Sequence, residues 1–168
     1  MNEWNSLYEK YPDLFKDVGG DPRSTCMAFG IECNIGWYDI ISAVCWQIFQ
    51  HERNITDRKK YREQQNASIT KDFGIQIDGD EEDYQPVKFD QIKEKYGGLR
   101  IYYSGGDKYV QGVVSMAEEM SYKICEVCGN PGKPNKGGWI STLCEFHREE
   151  QNNQVYKQTF YSYDNDTQ

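Results

Sequence analysis

Histidine is almost missing from this chain, which has two, His51 and His147, in 168 residues. A metal-dependent nuclease finger would have to rely on His51, and a lone histidine on a helix more often packs or faces solvent than reacts. Positive charge is also in short supply: 19 Lys and Arg stand against 27 Asp and Glu, a net of -8. That balance disfavours nucleic acid as the main partner, because phosphate contacts need clustered cations. The start, Met1-Asn2-Glu3-Trp4, has neither the basic residues nor the apolar run of a secretory signal, and no stretch has the length of a membrane span. The expectation is a cytoplasmic protein without membrane contact. No phosphate-cradling glycine loop and no internal repeat is present.

What remains is a globular composition, with 38% hydrophobic and 27% charged residues, enough for one compact unit with a core. Six cysteines in a reducing compartment read as metal ligands or core thiols, not as disulfides.

Trp4, Leu7, Tyr8, Tyr11, Leu14 and Phe15 recur at helical spacing and predict a first helix over about 2–15, with Pro12 marking a break. From Trp37, the residues Ile40, Ile41, Val44, Cys45, Ile48 and Phe49 predict a central helix over about 37–53. Beyond it the pattern fades into a basic run (Arg53, Arg58, Lys59, Lys60, Arg62) and an acidic one (Asp78, Asp80, Glu81, Glu82, Asp83), read as a helix extension and then a mobile loop over about 63–84. Val87, Phe89, Gln91 and Lys93 have period two, and Leu99 to Tyr103 is rich in β-formers. With turn chemistry at Lys95-Tyr96-Gly97-Gly98 between them, a hairpin follows over about 87–103. Asp107 offers an N-cap to a third helix over about 108–122, facing the core with Val110, Val113, Val114, Ala117 and Met120. The tail at 151–168 is polar. The fold class is α+β: a helical core with a hairpin at 1–124, and a zinc module at 125–150 packed on it.

That module carries the most specific signal. Cys125-Glu126-Val127-Cys128 places two thiolates on one knuckle, with Gly129 allowing the turn, and Cys144-Glu145-Phe146-His147 repeats the spacing. Three sulfurs and one imidazole make a closed tetrahedral set, the preference of a single structural zinc, and leave no position for water or substrate. The Pro- and Gly-rich stretch between the pairs suits a hairpin, and a helix can start at Glu145, giving a treble-clef or ribbon-like finger. Trp139, Ile140 and Leu143 are expected to shield the site. A zinc deaminase needs a different order of ligands and a catalytic glutamate, so Glu126 is not that acid. Cys26, Cys33 and Cys45 lack paired spacing and read as buried free thiols.

Three motifs, Gly36-Trp37-Tyr38-Asp39-Ile40-Ile41, the run from Lys93 to Tyr103, and Cys125 to Pro131 followed by Gly138 to Cys144, resemble those of a family of small proteins from bacteriophages, prophages and bacterial genomes. The similarity covers most of residues 10–147, with departures from Arg53 to Tyr84 and after Arg148. It implies a phage setting and supplies no reaction.

The stretch from Lys88 to Lys108 is the most function-like basic stretch, with Lys88, Lys93, Lys95, Arg100 and Lys108 against Asp90, Glu94 and Asp107. Lys93, Lys95, Arg100, Tyr102 and Tyr103 are the candidate ligand-binding residues, able to hold a nucleotide-like molecule or an acidic patch of a host protein. The leading expectation is a non-enzymatic protein antagonising a bacterial host process, with a homo-oligomer among the arrangements open to it. Nucleic-acid binding and a nucleotide-acting enzyme using Asp39, Glu94, Arg100 and Tyr103 are the alternatives. Equally, the cations only solubilise the outside of a sheet.

Overall fold

Why the first helix is short is visible in its last residue. In the computed structural model, which describes residues 3–74, 84–135 and 140–153, α1 runs over Asn5–Lys10 and Tyr11 leaves helical geometry at φ -130°, ψ 57°. Tyr11 precedes Pro12, and the proline ring disfavours the helical region for the residue before it. The expected helix to Phe15 therefore becomes a helix followed by turns. Its apolar positions keep their role, since Trp4, Leu7, Tyr11, Leu14 and Phe15 are all buried. A 3-10 turn at Cys26–Phe29 follows, capped by the Thr25 hydroxyl. It buries Met27 and leaves Cys26 exposed, contrary to the expectation of a buried thiol. Cys33 is half-buried and Cys45 buried, as free thiols.

The central helix α2 spans Tyr38–Phe73, 36 residues, or about 54 Å at about 1.5 Å per residue. Ile40, Ile41, Val44, Cys45 and Ile48 form its buried stripe. The expected loop from 63 is helical as far as Phe73. No glycine or proline interrupts 53–73, which is rich in Arg, Lys and Gln, all good helix formers. Arg53 and Asp57 also make an i,i+4 pair at 3.8 Å. The helix stops at Gly74, which takes the left-handed conformation and donates to Thr70 O at 2.9 Å. Most residues past Glu52 are exposed, so the second half of α2 is an arm reaching beyond the core. Residues 75–83, the remainder of the expected loop, lie outside the described residues, as do 154–168 of the expected tail.

Three strands form one sheet: β1 (Ile31–Glu32), β2 (Lys88–Lys95) and β3 (Gly98–Ser104), in the order β1-β2-β3. β1 runs parallel to β2, and β2 and β3 make the expected antiparallel hairpin. The hairpin turns through Tyr96 and Gly97, both at positive φ (54° and 74°), a two-residue turn whose twist matches the strands. The register shifts between Phe89, opposite Tyr103, and Gln91, opposite Tyr102. This bulge at Asp90 breaks the period of two expected from Val87 to Lys93. Phe89 and Ile92 can then both turn inward, each fully buried.

Helix α3 (Lys108–Ser121) buries Val110, Val114, Ala117 and Ser121. It lies along β3, where Ser121 Oγ accepts from Leu99 N–H and Glu118 Oε1 from Ile101 N–H, each at 2.9 Å. The free edge of the sheet is thus closed by side chains of a helix. Asp107 caps α3 by accepting from Tyr109 and Val110 N–H, and also from His51 Nε2 at 2.7 Å. Burial opposes the Asp107 charge, but the bonds to His51 and the two N–H groups hold its carboxyl below its ordinary value. His51 is stacked on Tyr109 at 4.3 Å, a packing and pairing residue that ties α2 to α3.

Candidate metal centre and hairpin face

After α3 the chain turns tightly. Cys125 N–H donates to Asn130 O at 2.7 Å and Gly129 N–H to Cys125 O at 2.9 Å, closing the first knuckle. Two short strands follow, β4 (Lys133–Pro134) and β5 (Thr142–Leu143), paired antiparallel, and residues 145–153 then form a helix. Arg148 in that helix reaches back to Lys133 O at 2.8 Å and Leu143 O at 3.2 Å, fixing it against the strands.

This brings Cys125, Cys128, Cys144 and His147 together, with all four donor atoms within 4.8 Å of one another. Cys128 Sγ lies 3.8 Å from Cys144 Sγ, and His147 Nδ1 lies 3.5 Å from Cys125 Sγ and 3.2 Å from Cys144 Sγ. Nδ1 is therefore the imidazole donor, and Nε2 faces outward with Glu150 at 4.0 Å. Burial alone would raise the Cys125 thiol, yet backbone N–H groups of Cys144, Cys128 and Val127 aim at it and bring it down to about 7. Such donors favour the thiolate, the form that binds a metal. Of the residues expected to shield the site, Leu143 is buried and Ile140 is 37% exposed, while Trp139 lies outside the described residues.

The knuckle is built onto the start of α2. Gly36 N–H donates to Glu126 O at 2.8 Å, Trp37 Nε1 to Ile124 O at 2.9 Å, and Asn34 Nδ2 to Glu126 Oε1. Trp37 is fully buried. A side chain at Gly36 would drive its Cβ to 2.6 Å from the Glu126 carbonyl, so the backbones meet there only because the residue is glycine. On the other side Thr142 Oγ1 donates to Gly97 O at 2.5 Å, anchoring β5 to the hairpin turn. The metal segment thus clamps helix start and hairpin tip together.

The register decides which candidate hairpin residues meet. Lys93 pairs with Arg100, Gln91 with Tyr102, and Lys95 with Gly98, and directly opposed residues share a face. Lys93, Lys95, Arg100 and Tyr102 therefore lie on one face, opposite the one carrying buried Ile92, Leu99 and Ile101. Tyr103 does not join them: it pairs with Phe89 and packs half-buried on the core. The alternative set of Asp39, Glu94, Arg100 and Tyr103 is not assembled either, since Glu94 and Tyr103 alternate with Arg100 along the strands. Glu94 instead accepts from Gly97 N–H at 2.6 Å.

On the shared face Lys93 Nζ stands 5.5 Å from the centre of the Tyr102 ring. The Arg100 guanidinium lies 5.6 Å from the ring of Tyr122, a residue sequence reading passed over, and donates from Nη2 to its hydroxyl at 2.6 Å. Tyr122 sits 22 positions from Arg100 at the end of another element, so no local pattern could have linked them. Glu32, beside Lys93 in β1, accepts from Gln91 at 3.0 Å.

Fold and cluster together define an α+β protein with a Cys3His centre able to hold a metal ion. No protein family, curated protein or solved structure matches the chain. No helix among the described residues is long and apolar enough to cross a membrane.

Proposed function

We propose that this is a zinc-stabilised binding protein, not an enzyme, which takes an anionic partner on the outer face of its hairpin. The observation that carries the reading is the Lys93–Arg100 pair, two cations directly opposite each other on neighbouring strands. Neither forms an ion pair with a carboxylate among the described residues. Like charges so placed are destabilising, by roughly 0.2–1 kcal/mol, and an anion bound between them would reverse the sign. Tyr102, 44% exposed beside Lys93, adds an aromatic surface. Such a face suits a nucleotide-like ligand or an acidic patch on a host protein.

Zinc is the ion we assign to the Cys3His cluster, held in a treble-clef arrangement of knuckle, hairpin and helix. With zinc–sulfur bonds of about 2.3 Å and a zinc–nitrogen bond of about 2.0 Å, tetrahedral geometry separates two sulfurs by about 3.8 Å and sulfur from nitrogen by about 3.5 Å. The observed separations of 3.8, 3.5 and 3.2 Å support that ion. The four donors complete its shell, so its part is structural. The resemblance to phage and prophage proteins supports a role in the bacterial cytoplasm, where the protein antagonises a host process, antiviral defence included, by sequestering the ligand or by contact.

Native mass spectrometry of protein purified from infected cells tests this directly. One zinc per chain with a retained small anion, or with an acidic host protein, is the expected result. Folded protein free of metal, with neither anion nor partner at low salt, would overturn it.

A further inference from the structure

We infer that the group recognised on the hairpin face is a phosphoryl oxyanion and not a carboxylate, with Tyr122 as the ligand-contacting residue that sets this preference. The inference rests on the reading of that face as an anion site.

Arg100 is not a free fork. Its Nη1 donates to Leu99 O and its Nη2 to the Tyr122 hydroxyl, both at 2.6 Å, with the guanidinium carbon 5.6 Å from the centre of the Tyr122 ring. A carboxylate is best held by an unencumbered guanidinium edge giving two parallel bonds. Here each terminal nitrogen has already committed a hydrogen, so a planar ligand must compete with Leu99 O and the Tyr122 hydroxyl for the fork. The clamp creates a different donor set. Because the Tyr122 oxygen accepts from Arg100, its own hydrogen is left to donate, and no acceptor for it is found among the described residues. Lys93, directly opposite Arg100, leans instead over Tyr102 on a flexible stem that can return when an anion arrives. Guanidinium N–H, phenolic O–H and ammonium are three separate donors, which suits the several oxygens of a tetrahedral phosphoryl group better than the two of a planar carboxylate.

The ring of Tyr122 is in position because Gly98 lacks a side chain. A Cβ there would come within 2.5 Å of the phenolic oxygen and 2.7 Å of a ring carbon. The exposed ring of Tyr102 then gives a planar base a surface to stack on, which makes a nucleotide the fitting class over inorganic phosphate.

The test titrates the full zinc-loaded chain at low salt with ADP, inorganic phosphate and poly-glutamate, followed by amide chemical shifts. ADP is expected to bind most tightly, phosphate more weakly and poly-glutamate least. Tyr122→Phe keeps the ring over Gly98 and should weaken ADP about tenfold, the value of one hydrogen bond to a charged group, with the amide spectrum still that of a folded chain. Arg100→Lys keeps the charge, loses the fork and should weaken ADP by as much or more. ADP affinity indifferent to both variants overturns the inference. So does poly-glutamate binding as tightly as ADP, although the face then stands as an anion site. No binding of any probe to folded chain removes the inference and the anion site together.

Discussion

Replacing Gly36 with alanine probes whether the metal knuckle is seated on the start of α2. The new Cβ would lie 2.6 Å from both the carbonyl carbon and the carbonyl oxygen of Glu126, and nearer still to the Cys125 carbonyl oxygen. These are backbone atoms between two metal donors, so the clash is relieved only by moving the knuckle, not by rotating a side chain. Movement breaks the 2.8 Å bond from Gly36 N–H to Glu126 O and strains the 2.9 Å bond from Trp37 Nε1 to Ile124 O. Overpacking costs about 1–3 kcal/mol and a lost backbone bond about 0.5–1.5 kcal/mol, together about 2–4 kcal/mol. For a chain of this size the midpoint should fall by about 5–15 °C. Gly112→Ala is the matched control, because a Cβ there meets nothing within 4 Å in the middle of α3. It should stabilise by about 0.5–1 kcal/mol through the smaller entropy lost on folding. Thermal unfolding of metal-loaded protein, with metal release into a chelating dye timed alongside, reads both effects. A Gly36→Ala midpoint within about 1 °C of the parent, with an unchanged release rate, would refute the seating.

Lys93→Gln should raise the stability of the free protein by roughly 0.2–1 kcal/mol by removing the like-charge pair while lowering affinity for anions; urea denaturation and ADP titration check the two halves, and a destabilised variant would show that Lys93 is structural. The carboxyl of Asp107 is held below its ordinary 3.8, so its contribution is present above that value and is lost as pH falls through its folded pKa. Urea midpoints measured downward from pH 5 should decline for the parent and decline less for Asp107→Asn. Chelation, or Cys128→Ser, should release one metal equivalent and unfasten the segment from β4 to 153 along with its grip on Gly97; loss of amide protection confined to those residues and to the hairpin tip is the expected exchange pattern, and unchanged protection would contradict the clamp.

The Cys3His cluster was legible in the sequence because two Cys- or His-bearing pairs, each with two intervening residues, are a local signal that needs no partner element. Helical and strand periods likewise marked α2, α3 and the hairpin, since burial of one face imposes its spacing on the chain that carries it. Where reading stopped short, the cause was equally physical. The charged run after Arg53 has no apolar stripe, yet with no glycine or proline before Gly74 nothing ends the helix. β1 is two residues long and pairs with a strand some sixty positions away, too short to announce itself. The alternation that placed Lys93 with Lys95, and Arg100 with Tyr102, is intrinsic to a strand. Which of those pairs share a face across the hairpin depends on register, and a one-residue bulge at Asp90 sets which way Phe89 and Tyr103 point relative to them. Composition and spacing determined that this chain gathers three thiols and an imidazole and carries a cationic hairpin. Only the tertiary structure decided that Glu126 meets Gly36, that Tyr122 clamps Arg100, and that Tyr103 turns inward, because each is a contact between segments whose separation in sequence carries no periodic trace.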